Sequence, residues 1–251
     1  MISTGLSLLI AIGLLLLALV LLVALTLLRG RISIALRQIE AYNRLTRSVG
    51  QAVENGSRLH ISLGRGTLFT TRGASALAGL AMLRKLTERT SLSDRPPIVT
   101  SGDASLAILS QDTLQSGYRA AGAEEQYRFS TGRLTGLTPF SYAAGTIPVT
   151  QDEDVSANVF IGDFGSEAAL MADAAERENS TLVAASDSLP AQSVFYAVSQ
   201  DPLIGEELFA AGAYVGAGAV HEASLTVQDI LRWLIILAIL IGSWLKFLGV
   251  I

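Results

Sequence analysis

The chain has 251 residues, half of them hydrophobic and 16% charged, with a formal net charge of -4, two histidines and no cysteine. The missing cysteine excludes disulfides, thiolate catalysis, iron–sulfur clusters and most structural zinc sites, and His60 and His221 are too few for a histidine-rich metal centre. The small net charge conceals an asymmetry: residues 29–150 carry 15 basic and 8 acidic groups, net +7, whereas residues 151–227 carry one basic and 13 acidic groups, net -12.

Residues 6–28 contain no charge and only Ser7, Gly13 and Thr26 interrupt the aliphatic run. At ~1.5 Å per residue a helix of this length reaches roughly 34 Å, enough to cross a hydrocarbon core of ~30 Å. The run is too long for the apolar core of a cleaved signal, has no basic leader, and is followed by no small-residue cleavage site, so it predicts an uncleaved anchor. Arg29, Arg31, Arg37, Arg44 and Arg47 follow it directly. The positive-inside bias then puts these arginines in the cytoplasm of a bacterial inner membrane, against anionic headgroups, with the N-terminus outside.

Behind the anchor, Ile32, Leu36, Ile39, Tyr42 and Leu45 keep a rough helical rhythm, predicting a basic juxtamembrane stalk over residues 29–56, helical from about Arg31 to Asn55. "LHISLG" reads as an alternating strand, residues 74–90 as a helix with Leu77, Leu80, Leu83 and Leu86 on one face, and "PPIVTSGD" as a second strand. "ASLAILSQDTLQSGYRAAG" is an amphipathic helix. Residues 125–154, rich in Gly, Thr and aromatics and including "FSYAAGTIPVT", read as short strands and turns. "NVFIGDFG" is a buried strand, "SEAALMADAAERENS" a helix and "TLVAAS" a further strand; "SVFYAVS" follows, and "IGEELFAAGAYVGAG" reads as a short helix entering a loop. Residues 228–251 close the chain with a second apolar run, bracketed by Trp233 and Trp244 and opened by Arg232. It predicts a second membrane helix that returns the C-terminus to the outside. Residues 57–227 then form a cytoplasmic α/β domain, Rossmann-like, with a mainly parallel sheet flanked by the N- and C-terminal transmembrane helices.

Three expected strands end alike, in "TSGDAS", "GDFGSE" and "SDSLP". In an open parallel sheet, ligands bind beyond the carboxyl ends of the strands, where small residues let backbone N–H groups approach an anion. Ser101, Asp103, Gly162, Gly165 and Ser166 are therefore candidate ligand-binding residues. Gly64 and Gly66 of "SLGRGTLF" join them, although Phe69 stands where G-x-G-x-x-G needs its third glycine. The same residue types also cap helices and turn chains with no ligand, and Asp103 and Asp163 oppose a phosphate. No G-x-x-x-x-G-K-[ST] and no G-x-S-x-G occurs, Glu206 and Glu207 do not face one another, and His60 reads as a residue on a strand face. No catalytic residue, metal or cofactor is expected, and the acidic second half weighs against nucleic acid.

"GEELFAAGAYVG", with "SLGRGTL", "SGDASL", "SQDTLQ", "YAAG" and "GDFGSE", resembles an uncharacterised bacterial family of domain-of-unknown-function membrane proteins found mainly in Chloroflexi. The resemblance covers most of residues 59–243. It implies the two-anchor layout and no activity. The expectation that follows is a non-enzymatic, membrane-anchored scaffold that forms a homo-oligomer through its cytoplasmic domains, with Arg119, Arg128 and Arg133 on the basic side of charged head-to-tail contacts. The alternative is a membrane-tethered sensor of a nucleotide or phosphorylated metabolite. Its partners would be itself and the lipid bilayer, with unidentified membrane proteins left open.

Overall fold

The computed structural model describes residues 4–28, 36–70 and 73–249. In chain order its elements are α1 (Thr4–Leu28), α2 (Glu40–Glu54), β1 (Arg58–Gly64), α3 (Gly73–Thr90), β2 (Ile98–Ser101), α4 (Ala104–Ala120) and β3 (Gly132–Leu134). These are followed by α5 (Pro139–Asp152), β4 (Val155–Asp163), α6 (Ala168–Arg177), β5 (Thr181–Ser186), α7 (Leu189–Val198), α8 (Glu207–Tyr214) and α9 (Ala219–Phe247). The chain divides into two compact units, Arg37–Ala217 and the pair of terminal segments Met1–Leu36 and Gly218–Ile251.

The Arg37–Ala217 unit is α/β, with five strands in the order β3-β2-β1-β4-β5 and every pairing parallel. Side chains alternate across a strand, so Leu59, Ile61 and Leu63 of β1 and Ala157, Val159 and Ile161 of β4 enter one core, packed under α2, α3, α4 and α8. Phe160 and Ala184 point the other way, into a second core with Tyr142, Phe164, Met171 and Phe195 from the α5 to α7 side. Helices cover both faces, as an all-parallel sheet requires. On α3 the small residues Ala76 and Gly79 take the contact with the sheet, where a Cβ on Gly79 would press on the Ile161 carbonyl and Leu63. That rotates the buried stripe so that Leu80, Leu83 and Leu86 face inward while Leu77 stays exposed.

Two expected elements differ. The Gly/Thr-rich middle holds one short strand, β3, as expected, but residues 139–152 form α5 rather than further strands and turns, because Thr138 and Ser141 make reciprocal capping bonds and Pro139 fits the first turn. Nor does α2 project as a stalk. Residues 36–39 are not helical, Arg29 and Arg31 lie outside the described residues, and α2 buries Ala41, Tyr42, Leu45 and Val49 in the first core, with Ala52 buried as well. Spacing of three and four residues turns these side chains toward the sheet, and the apolar area removed from water, ~25 cal/mol per Å², favours docking over projection.

The other unit contains α1 and α9, which pack on one another. Both are long and apolar enough to cross a membrane, with mean hydropathy of 3.4 over Ser7–Leu28 and 1.9 over Ala219–Phe247. The closing apolar run is thus the distal part of a longer helix that begins at Ala219.

Candidate functional site

The strand order doubles back at β1 and β4, so the crevice beyond their carboxyl ends is where this architecture places ligands. The two strands approach too closely there for side chains. A Cβ on Gly64 would overlap the Asp163 carbonyl, one on Gly162 the Leu63 carbonyl, and both glycines have positive φ. Beside them the buried Tyr142 hydroxyl sits 2.5 Å from Ser62 Oγ and accepts the Gly64 N–H at 3.2 Å. Burial pushes its phenol pKa up.

Arg65 reaches over this point and donates from Nε to Glu167 Oε1 at 2.8 Å, and the same oxygen accepts the Gly165 N–H at 2.9 Å. Gly102 leaves room for the arginine stem, since a Cβ there would overlap Arg65 Cγ. Glu167 is 2% exposed. Burial alone would raise its carboxyl pKa, but the Gly165 N–H, the Arg65 guanidinium and its own backbone N–H outweigh burial and hold it below the usual range. A carboxylate of the chain therefore occupies the cationic, N–H-lined position that an external anion would take.

Of the residues read from the sequence, Gly64, Gly162 and Gly165 meet at this crevice. Ser101 is buried, and its Oγ lies 3.4 Å from the Arg133 carbonyl. Asp103 caps α4, accepting the Leu106 N–H at 3.0 Å, and also bonds the Ser105 hydroxyl. Gly66 is buried in the loop after β1, and Ser166 is exposed. Sequence reading missed Arg65, Tyr142 and Glu167, although the glutamate closing "GDFGSE" was visible as an acid beside a glycine turn. The described orienting arginines have partners within the Arg37–Ala217 unit: Arg37 pairs with Glu207, Arg44 with Asp201 at 2.6 Å, and Arg47 with Glu40 at 2.5 Å. On α9, Arg232 lies 3.4 Å from Asp229, and Trp233 and Trp244 are exposed. Arg119 and Arg133 bind Glu124 at 2.9 Å and Glu153 at 2.7 Å.

A second polar group lies under α5. His60, fully buried, donates from Nδ1 to Asn158 Oδ1 at 2.7 Å and accepts the Thr100 hydroxyl at Nε2 at 2.9 Å. Thr150 also donates to Asn158 Oδ1, and Asn158 Nδ2 donates to Ser180 Oγ at 2.7 Å. These directions fix the neutral Nδ1–H tautomer. Burial, with the Arg133 charge acting the same way, lowers the imidazole pKa to about 4 against the lift from Asn158. The chain ties β1, β2, α5 and β4 together, and the Thr100 hydroxyl that meets the histidine is itself fully buried.

The carboxyl edge of the sheet also carries an apolar rim. Phe69 follows β1, Leu137 and Phe140 follow β3, and Leu189 follows β5; they are 88%, 66%, 70% and 75% exposed. All four stand beyond the carboxyl ends of their strands, where an exposed apolar side chain is open to a partner.

Among the described residues no group of three or more His, Asp or Glu is placed to hold a metal ion. No curated protein and no solved structure matches the chain. One family model does match, over residues 4–251, and with nearly the whole length covered the chain belongs to that family, described as Domain of unknown function (DUF6754).

Proposed function

We propose that this chain is a membrane-anchored structural protein that carries out no catalysis and assembles with copies of itself through a Rossmann-like unit held on the cytoplasmic side of a bacterial inner membrane. The observation that carries this reading is the apolar rim of Phe69, Leu137, Phe140 and Leu189 on one edge of the unit. Two anchors hold every copy in one plane, and the resulting effective concentration lets a modest apolar contact suffice. Arg119 and Arg133 are already paired within the unit, so the rim, rather than the charge asymmetry, is the proposed contact.

The test is the mass of gently extracted full-length particles. The expected result is a discrete particle several times the 26.5 kDa chain. Substituting Phe69→Ser with Phe140→Ser should reduce that mass while leaving the melting temperature in place. A native chain found only as monomer or dimer would sink the scaffold reading. A sensor remains the second reading because Arg65 stands at the strand-order reversal, where a phosphate could replace the Glu167 carboxylate. A nucleotide at ~100 times its dissociation constant would then stabilise the chain by ~2.7 kcal/mol, visible as a thermal shift.

A further inference from the structure

At the amino end of β5, the opposite end of the sheet from the crevice, the Arg37–Ala217 unit holds a cavity of about 320 Å³. Its position follows from how two helices end. After α6 stops at Arg177, Asn179 takes the left-handed backbone, with φ of 52°, that asparagine adopts more readily than most side chains. The turn brings Ser180 back to the Ala175 carbonyl, to which it donates from its N–H at 3.1 Å and its hydroxyl at 2.9 Å. Helix α7 stops at Val198, and the Ser199 N–H closes on the Phe195 carbonyl at 2.8 Å. The cavity is lined by residues of these two C-terminal ends and of the start of β5, and by Arg44 of α2.

The charges around this cavity do not cancel. Arg44 is already engaged: its Nε donates to Asp201 at 2.7 Å and its Nη1 to the Gln200 amide oxygen. Arg177, the one base in residues 151–227, is held by Asp173 at 2.9 Å. Among the described residues, the Glu176 carboxylate and the Asn179 side-chain amide, both lining the cavity, have no partner. A helix C-terminus carries roughly half a negative charge, and two of them end here. Against this negative side stand the apolar groups of Ala172, Leu182 and Val198. The volume lies at the small end of ligand pockets, which run from roughly 300 to 1,000 Å³.

We propose that this cavity binds a short primary alkylammonium ion, its head held by the Glu176 carboxylate and the Asn179 side-chain oxygen and its stem lying against Leu182 and Val198. An ammonium group has three donors and no acceptor, so it matches open groups that accept. Its bond to the carboxylate is charge-assisted, the stronger kind of hydrogen bond. An anion meets the reverse arrangement: the carboxylate and both helix ends repel it, and the guanidinium that would hold it is engaged with Asp201 and Gln200. The site therefore differs from the Arg65 crevice in place and in the sign of charge it accepts, and it stands whether or not copies of the chain assemble.

Butylammonium chloride is the probe, added to the full-length protein in detergent at constant ionic strength and followed by ligand-observed NMR, with sodium butyrate as an anion of similar length. Saturable binding of butylammonium, with butyrate silent, is the expected result. Glu176→Gln keeps the size of the side chain and removes its charge, so it should weaken binding about tenfold or more. Glu178→Gln, at an acid outside the cavity lining, should leave the affinity unchanged. Both positions are exposed, so neither change disturbs the core. Three outcomes would each overturn the assignment: butyrate binding as well as butylammonium, no saturable signal from butylammonium, or a signal that survives Glu176→Gln, as partition into detergent would.

Discussion

His60 is a titratable group enclosed on all sides, with both ring nitrogens committed to neutral partners. Its folded pKa of about 4 lies below the ordinary 6.5, so between those values the unfolded chain binds the extra proton and the folded chain does not. Stability from this residue is therefore complete above pH ~6.5 and declines as pH falls toward ~4; between pH 7 and 5 the loss should be about 2 kcal/mol. Urea titrations at the two pH values measure it. His60→Gln should lower stability at pH 7 and remove the slope in this window; a slope that persists would assign it to other groups. Glu167 makes a different prediction. Its removal leaves Arg65 over a closed crevice without its partner, so Glu167→Ala should cost about 3 kcal/mol. Adding Arg65→Ala should cost much less than the single Arg65→Ala change does, because the pair has already been broken. A double-mutant cycle with additive energies would refute the coupling.

At the scale of the element, α5 shows why some of the fold was legible and some was not. Strands β1, β2, β4 and β5 and helices α3, α4 and α6 announce themselves through periodicity, since both cores need apolar residues at every second or every third and fourth position. Helix α5 gives no such signal. It contains Gly145 and Pro148, which on local grounds argue for turns, and its start depends on the Thr138 and Ser141 pair, with serine where the usual motif has an acid or amide. Gly145 is there for packing: a Cβ would overlap the Thr135 carbonyl oxygen. Propensity alone says that Gly145→Ala should stabilise the helix by ~1 kcal/mol. The overlap is with backbone and cannot be relieved by turning a side chain, so the expected outcome is a net loss of at least ~1 kcal/mol. A melting temperature that rises in this variant would show that the Thr135 loop yields. The crevice was half legible for a related reason. Its glycines follow strands and could be read, but the Arg65–Glu167 pair spans 102 residues and no local pattern reports it.

On the scale of the whole molecule, the two ends of the Arg37–Ala217 unit are fastened to each other. The Tyr42 and Tyr214 rings stack at 4.6 Å, Tyr42 donates to the Glu207 carbonyl at 2.6 Å, and Tyr214 donates to the Arg37 carbonyl at 2.5 Å. Arg37 with Glu207 and Arg44 with Asp201 add charge to the same seam. This explains the stretch "GEELFAAGAYVG": its Glu207 and Tyr214 grip the entering segment, and Ala210, Ala211, Gly212 and Ala213 are buried on the helix between them. Tyr214→Phe keeps the stack and loses one hydroxyl bond, which should cost about 1 kcal/mol. Tyr214→Ala also removes the ring, and a further loss of about 1 kcal/mol or more is expected from the stacked pair and its buried area. Because the seam joins the ends of the unit rather than its sheet, the damage should be local. Hydrogen exchange in Tyr214→Ala should accelerate over residues 37–54 and 207–215 while β1 and β4 keep their protection. Acceleration spread evenly through the sheet would mean that the ends are part of the global folding unit, and the clamp would then be a core contact rather than a fastening between the two segments that lead to α1 and α9.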